Sequence, residues 1–436
     1  MSWFGGRADK SITKLLKQYH RPHRYQPLKR LGEGGLAAVS SCFDTYTSRV
    51  VALKELKPEN LRSSFLVQSF INEVKLISYL HHPGLVSVFD TFLLDKERLC
   101  YTMTLVEGDS LAVLLETDQL FASGPRLSLA RSLDIFTRIA ETMAHVHDCG
   151  VIHLDIKPEN VMVGRYGEVM IMDWGNARLY NPEPYREYLA SSGNDDFPLI
   201  ENERRNVVLG TPLYMSPEQT STPRNLLTPA SDIFSAGVVL YEMLTGVRPF
   251  QANEADVAME KVRTYDPLPV HELNRDVPVR LSQICEKMLA KEIGDRYGTF
   301  RDVAAELSEL RESGQAFSTR TYKADEPIFS EGDPGEYAFT ILSGKVEIVK
   351  KDGDRSRVLA TLGKGEIVGE LAIFTDHPRT AAARAVEETT IRVMGADDVK
   401  GELEKLRPWV GNMVKALSER FIGLNEKLLS MDDERA

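Results

Sequence analysis

Between Tyr25 and Leu105 apolar and polar positions fall into short β-type runs: YQPLKRL, AAVSSCF, RVVALKEL, LVSVFDTF and RLCYTMTL, separated by Gly, Pro or charged turns. Runs of this length bounded by turn residues predict strands. One stretch inside this region, SFLVQSFINEVKLISYLHH, breaks the pattern. Its Leu66, Phe70, Val74 and Ile77 recur at helical spacing and predict an amphipathic helix. From about Ser128 helical periods take over. SLARSLDIFTRIAETMAHVHDCG offers Ser128 as an N-cap, an apolar face of Ile135, Ile139, Met143 and Val146, and Gly150 as a stop. TPASDIFSAGVVLYEMLTG is apolar nearly all round, which predicts a buried helix, and TFRDVAAELSELRES a charged amphipathic one.

Past Ser313-Gly314 the period shortens again. PIFSEGDPGEYAFTILSGKVEIVKKDGDRSRVLATLGKGEIVGE reads as short strands broken by GDPG, SG, DGD and GKG turns, the texture of an all-β barrel or roll. Helices return from Asp397, the last being the amphipathic WVGNMVKALSERFIGLNEKLL after Pro408. The expected organisation is a lead-in over 1–24, a domain over 25–312, a linker over 313–317, a second domain over 318–430 and a tail over 431–436. The 436 residues are enough for two or three cores.

Composition narrows the function classes. At 42% hydrophobic and 27% charged the chain is an ordinary globular one, and a net charge of −11 argues against general affinity for nucleic acid or anionic membrane. The four cysteines, Cys42, Cys100, Cys149 and Cys285, are scattered without CxxC pairing, which fits a reducing compartment and no zinc site. No apolar tract reaches the ~20 residues of a membrane span, so a cytoplasmic protein is expected.

Chemistry enters with LGEGGLAAV, Leu31–Val39, where Gly32, Gly34 and Gly35 let backbone N–H groups approach a phosphate. Alone this is an ordinary Gly-rich hairpin. It is followed in order by Lys54 in VALK, Glu73 on the amphipathic helix, HLDIKPEN at 153–160, DWG at 173–175, GTPLYMSPE at 210–218 and SDIFSAG with Asp232. That ordered set resembles the eukaryotic-like serine/threonine protein kinases over Tyr25–Glu312, about two thirds of the chain.

The resemblance implies a bilobal kinase fold of mixed α+β class, with a β-rich small lobe and a helical large lobe. It implies ATP and Mg²⁺ (or Mn²⁺) as cofactors and a protein hydroxyl as acceptor. Lys54, fixed by Glu73, would hold the α- and β-phosphates; Asp155 would accept the hydroxyl proton; Lys157 would lie by the γ-phosphate; Asn160 and Asp173 would hold metal. Leu31, Gly32, Glu33, Gly34, Gly35 and Ala37 would form the loop over the phosphates. Val39, Ala52 and Met103 would shape the adenine pocket, and the backbone near Leu105 and Val106 would read the adenine edge. Glu218 would pair with Arg296, and Asp232 is part of the structural set.

The departures matter as much. Ala37 stands where the family has a third glycine, Trp174 for its Phe, and Ser216 for the Ala of APE, at a place peripheral to the chemistry. Leu154 replaces the arginine that in the family pairs with a phosphate on the activation loop, so one common switch is missing while the transfer groups are present. The segment SSGNDDFPLIENERRN is expected to be an insert or flap, and Tyr185, Tyr188, Ser191, Ser192 and Thr211 are candidate phosphorylation sites in and around it.

A second constellation follows. GEIVGELAIFTDHPRTAAARA, residues 365–385, can open a short helix toward an anion, with Arg379 as a fork of donors nine positions past Glu370. Residues 318–425 resemble the cyclic-nucleotide-binding domain, a β-roll with C-terminal helices. Carried over, Gly369, Leu371 and Ala372 would offer backbone donors to the cyclic phosphate, Glu370 would take the ribose 2′-OH and Arg379 would neutralise the phosphate. Thr380 leans toward cGMP over cAMP, and Met413, Leu417 or Phe421 would cap the base.

Together these imply a kinase regulated by cyclic nucleotide bound C-terminal to it. A different class is a kinase-fold scaffold that senses nucleotide without catalysis. The protein substrate and the sign of regulation are not legible, and the last helix can pair with a copy of itself or fold back.

Overall fold

The computed structural model describes residues 24–94, 98–116, 127–192, 211–221, 227–312, 319–352, 355–375, 377–396, 399–400, 403 and 409–420. The chain forms two compact units. The first comprises 1–126, 134–268 and 284–307; the second takes 308–436 together with 127–133 and 269–283.

The first unit begins with strands β1 (Tyr25–Glu33), β2 (Ala37–Asp44), β3 (Arg49–Leu56), β4 (Val88–Leu94) and β5 (Arg98–Met103), hydrogen-bonded as an antiparallel sheet in the order β1-β2-β3-β5-β4. Alternation sends Val51 and Leu53 to one face, where they join Tyr25, Cys42, Phe92, Leu94 and Cys100 in a buried cluster. Ala52, Lys54 and Leu56 take the other face. Helix α1, Ser64–Tyr79, is capped by Ser63, whose hydroxyl accepts from the Leu66 amide at 3.4 Å. Its buried face runs through Val67, Phe70, Ile71, Glu73, Leu76 and Ile77; of the expected stripe Phe70 and Ile77 belong to it, while Leu66 and Val74 are only half-buried. A strict i, i+4 stripe drifts on a 3.6-residue helix, and an inward glutamate is invisible to a purely apolar pattern. Burying Phe70 alone contributes about 1.5–3 kcal/mol.

The β2–β3 turn hangs on Asp44. Its carboxylate accepts from Arg24 Nε and Nη2, both at 2.9 Å, from the Tyr46 amide at 3.0 Å and from the Thr47 hydroxyl at 2.7 Å. Those contacts, Arg24 first, hold the Asp44 carboxyl well below the usual carboxylate range. Arg24→Met should therefore destabilise the folded chain by about 3 kcal/mol. That is the low end for breaking a buried pair, because Arg24 keeps one edge in solvent. A depressed pKa stabilises above the unfolded value of about 3.9 and is lost as pH falls toward the folded one. Denaturant titration should show a constant deficit from pH 5 to 8 that shrinks below pH 4. An equal deficit at pH 3 would remove the ion pair as its cause.

Beyond the sheet come β6 (Gly108–Ser110), helix α2 (Leu129–Asp148), β7 (Val151–Ile152), β8 (Val161–Gly164), β9 (Val169–Ile171) and β10 (Arg178–Leu179). Ser128 caps α2 through its hydroxyl to the Arg131 amide at 3.2 Å, and Ile135, Ile139, Met143 and Val146 are buried as the periodicity predicts. Gly150 ends it at φ 78°, where a Cβ would meet the Asn181 carbonyl oxygen at 2.0 Å. Two further helices matter here: α3, Glu183–Ser191, which the sequence reading missed, and α4, Pro229–Thr245, buried nearly all round. Of the expected flap, residues 193–206 lie outside the described residues.

The second unit holds two four-stranded antiparallel sheets. Their strands are β11 (Thr319–Tyr322), β12 (Pro327–Phe329), β13 (Tyr337–Ser343), β14 (Val346–Asp352), β15 (Arg355–Leu362), β16 (Ile367–Val368), β17 (Ala382–Ala385) and β18 (Thr389–Gly395). The orders are β11-β18-β13-β16 and β12-β17-β14-β15, and one core of Ile328, Phe339, Ile341, Val346, Val368, Ala383, Ile391 and Val393 joins them, as in a β-roll. A short helix, α5 (Glu370–Thr375), follows β16, and residues 409–420 are helical.

Candidate active site

Strand alternation aims Lys54 at the face that α1 covers, and Glu73 comes down from α1 to meet it. Lys54 Nζ donates to Glu73 Oε1 at 2.6 Å and to Asp173 Oδ1 at 3.0 Å. Burial opposes the Lys54 charge, yet Glu73, with Tyr101 and Asp173, carries its pKa well above the ordinary value, so the ammonium is the state held. Asp173 is held low chiefly by Lys54. The reading missed Tyr101: its hydroxyl donates to the same Glu73 Oε1 at 2.9 Å.

Asp232, at the start of α4, organises the next segment. Its carboxylate accepts from the amides of His153 at 2.7 Å and Leu154 at 2.8 Å and sits 2.9 Å from His147 Nε2. Those bonds hold Leu154 at φ 64°, a left-handed conformation costly for a branched residue unless its surroundings fix it. Leu154 is buried at 4% exposure, and its carbonyl accepts from Gln219 Nε2 at 2.9 Å. An apolar side chain packed here offers no donor to a loop phosphate. The strained turn delivers Asp155, whose Oδ2 accepts from Lys157 Nζ at 3.0 Å and Asn160 Nδ2 at 3.1 Å. Lys157 also donates to Thr211 Oγ1 at 3.0 Å, which ties the loop to the segment before Ser216.

Asn160 commits its amide nitrogen to Asp155, leaving the side-chain oxygen for a ligand, and the Asp173 carboxylate is half-exposed. Two hard oxygen donors suit Mg²⁺, which keeps several waters and phosphate oxygens and needs few protein ligands. Among the described residues no cluster of three His, Cys, Asp or Glu could hold a metal alone.

Of the residues expected to face the nucleotide, Ala52 and Met103 are direct cross-strand partners, Val39 lies opposite Lys54, and Leu105 and Val106 follow β5 half-buried. Leu31, Gly32, Gly34 and Gly35 are exposed at the β1–β2 turn, which Gly34 closes by donating to the Ala37 carbonyl at 2.9 Å. Ala37 itself is buried. Glu33 pairs with Lys57 at 2.8 Å and Arg30 at 2.5 Å, so it is placed as a stem residue of the loop. Asn60, which sequence reasoning passed over, donates to the loop carbonyls of Gly35 at 3.2 Å and Leu36 at 2.9 Å.

Supporting contacts are equally ordered. Arg296 grips Glu218 with two bonds of 2.9 and 3.0 Å, and Ser231 donates to the same carboxylate at 2.7 Å. Ser216 is fully buried as the N-cap of the turn that carries Glu218. Trp174 stands edge-on to His153 at 4.5 Å and donates to the Ile171 carbonyl at 3.3 Å, so the indole has a partner that a phenyl ring would lack.

In the second unit the predicted phosphate cassette converges on Arg379. Its Nη1 donates to the Gly369 carbonyl at 2.7 Å, its Nη2 to the Tyr337 carbonyl, and its plane stacks 4.1 Å from the Phe329 ring. Gly369, at φ 86°, admits this approach because a Cβ would meet Arg379 Nη1 at 2.3 Å. Arg379 is 4% exposed, and burial lowers its pKa. No carboxylate pairs with it among the described residues. Glu370 and Leu371 are half-buried, Ala372 is buried, and Thr380 is exposed. Met413 and Leu417 are exposed on the last helix; Phe421 lies outside the described residues.

A five-stranded antiparallel sheet with its lysine–glutamate pair, followed by a helical part that presents Asp155 and Asn160, defines a kinase fold, and a β-roll accompanies it. The chain belongs to the protein kinase family: the protein kinase domain model matches residues 25–309. The cyclic nucleotide-binding domain model matches residues 319–405. Among similar proteins is the serine/threonine-protein kinase PknD of Protochlamydia amoebophila, 29% identical over 374 residues, 81% of this chain and 36% of that protein. The protein of the same name from Chlamydia felis is 31% identical over 309 residues, 68% of this chain and 32% of that protein. The chain thus spans about a third of the length of these curated relatives. No helix among the described residues is long and apolar enough to cross a membrane.

Proposed function

We propose that the chain transfers the γ-phosphoryl of ATP to serine or threonine hydroxyls of a protein, under control of a cyclic nucleotide bound to its C-terminal roll. The observation that carries the kinase reading is the closed Lys54–Glu73 pair beside an Asp155 already oriented by Lys157 and Asn160. Lys54 binds and aligns the α- and β-phosphates, and Lys157 lies where the γ-phosphoryl charge develops. Asp155 accepts the proton of the acceptor hydroxyl as its oxygen attacks the γ-phosphorus and the bond to the bridging oxygen breaks, releasing ADP. Asn160 and Asp173 would hold Mg²⁺, which would neutralise charge on the phosphates.

Control by the roll rests on two features. Leu154 cannot receive an activation-loop phosphate, and Arg379 is a buried guanidinium whose polar partners are carbonyls alone. A cyclic phosphate would supply the counter-charge that a buried cation requires. All four cysteines are free and three are buried, in keeping with a reducing cytoplasm.

The deciding experiment is the rate of phosphate transfer from ATP–Mg²⁺ to a generic basic protein at zero, micromolar and millimolar cAMP and cGMP. A change of 5- to 150-fold is expected, the usual size of an allosteric coupling of about 1–3 kcal/mol. A robust rate indifferent to both nucleotides would remove the regulatory half of the proposal. No transfer by the folded protein under any condition would remove the catalytic half.

A further inference from the structure

Glu73 is held by two side chains, and only one of them belongs to the expected catalytic set. Tyr101 lies on β5 directly across the ladder from Lys54 on β3. Being cross-strand neighbours, the two side chains leave the same face of the sheet side by side and converge on one atom. Lys54 Nζ reaches Glu73 Oε1 at 2.6 Å and the Tyr101 hydroxyl reaches it at 2.9 Å. Glu73 Oε2 makes no hydrogen bond among the described residues, so the whole grip on this buried carboxylate passes through Oε1.

The rest of the tyrosine docks on the same helix. Its ring meets Phe70 with centroids 5.2 Å apart and planes tilted by 54°, and Phe70 sits one turn before Glu73 on the same face of α1. Tyr101 is 1% exposed. A buried phenol needs a partner, and a carboxylate can only accept, so the proton lies on the tyrosine. Burial beside Glu73 raises the phenol pKa well above its ordinary value, so it remains a donor.

We infer that Tyr101 is a positioning residue for phosphoryl transfer: its hydroxyl and ring pin Glu73 and α1 to the sheet, and so keep Lys54 aligned in a chain whose Leu154 cannot draw on a loop phosphate. The inference rests on the kinase reading above. It assigns to a fixed tyrosine a constraint that a phosphate-paired activation loop would impose from outside.

Tyr101→Phe keeps the ring on Phe70 and deletes only the hydroxyl. Initial rates against ATP for wild type, Y101F, E73Q and the double variant should show kcat lowered about tenfold in Y101F, with KM for ATP within twofold. In the E73Q background Y101F should change kcat less than twofold, because the atom it addresses has already lost its charge. Hydrogen exchange of the α1 amides should rise about tenfold in Y101F, while amides of α4 are unchanged. A kcat and an α1 exchange rate both at wild-type values would overturn the inference. So would equal losses with and without E73Q, since a general packing defect is additive. If the wild-type protein transfers no phosphate, it is the kinase reading that fails, and α1 exchange still decides whether Tyr101 holds the helix.

Discussion

Asp155→Asn is expected to lower the rate of phosphate transfer by 10²- to 10⁴-fold, the range that a positioned general base supplies. The loss should fall on kcat, since in the proposed reading ATP would be met by Lys54, the glycine turn and the adenine-side residues, none of which touches Asp155 among the contacts seen. Asparagine is isosteric, but its amide nitrogen cannot take a proton from the acceptor hydroxyl. The substitution should also disturb the loop modestly. Lys157 Nζ and Asn160 Nδ2 both donate to Oδ2 at 3.0 and 3.1 Å, and one oxygen of the carboxylate survives in the amide to accept them. The strained backbone is fixed from below by Asp232 and stays as it is. The measurement is incorporation of labelled phosphate with the thermal midpoint followed in parallel. Unchanged incorporation would show that the transfer occurs elsewhere or belongs to a contaminant.

The same loop shows what the sequence makes legible. HLDIKPEN contains Asp155, Lys157 and Asn160 at fixed spacing, and local geometry does the rest, so their convergence could be read without coordinates. Strand β3 and helix α4 were equally plain, the first as a short β-type run between charged turns and the second by its apolar run. What escaped were contacts between distant segments. Tyr101 in RLCYTMTL looks like one more strand aromatic; only the β3–β5 register, which pairs it with Lys54, turns it into a second hand on Glu73. A polar amide such as Asn60 in a connecting turn has no period at all, yet it holds the glycine turn through two carbonyls. The burial of Ser216 is equally illegible in the chain, since it comes from the packing around Glu218 and Arg296. Helix α3 was missed because Pro182 and Pro184 punctuate its start, where proline is tolerated in a first turn. There Tyr185 and Tyr188 each set a ring 5.0 Å from Tyr79 at the end of α1, a packing no single-segment pattern contains.

Arg379→Gln is the second large effect expected. Where a buried, hydrogen-bonded charge pair loses one partner, about 2–5 kcal/mol is lost, so binding of cAMP or cGMP should weaken by roughly 30- to 5,000-fold. Glutamine is chosen over alanine because the side chain is also structural. Its guanidinium ties the carbonyls of Gly369 and Tyr337 together and lies against Phe329, and truncation would empty that space. In the free protein, burial sets the cost of the charge and carbonyls compensate it only in part. The variant without nucleotide should therefore be no less stable than wild type by more than about 1 kcal/mol, the usual worth of a hydrogen bond lost. Nucleotide should then distinguish them. At a hundred times Kd it stabilises the wild-type roll by about 2.7 kcal/mol, and at the same concentration the variant should gain little. Isothermal titration gives the affinities and the thermal shift checks them independently. If the two proteins bind equally, the phosphate is met by other groups and the convergence on Arg379 is a packing feature of the roll. If R379Q binds weakly while its phosphate transfer still responds to nucleotide as wild type does, control does not pass through this site. Loss of both together is the expected result, because a nucleotide can shift the kinase only by binding one state of the chain more tightly than another.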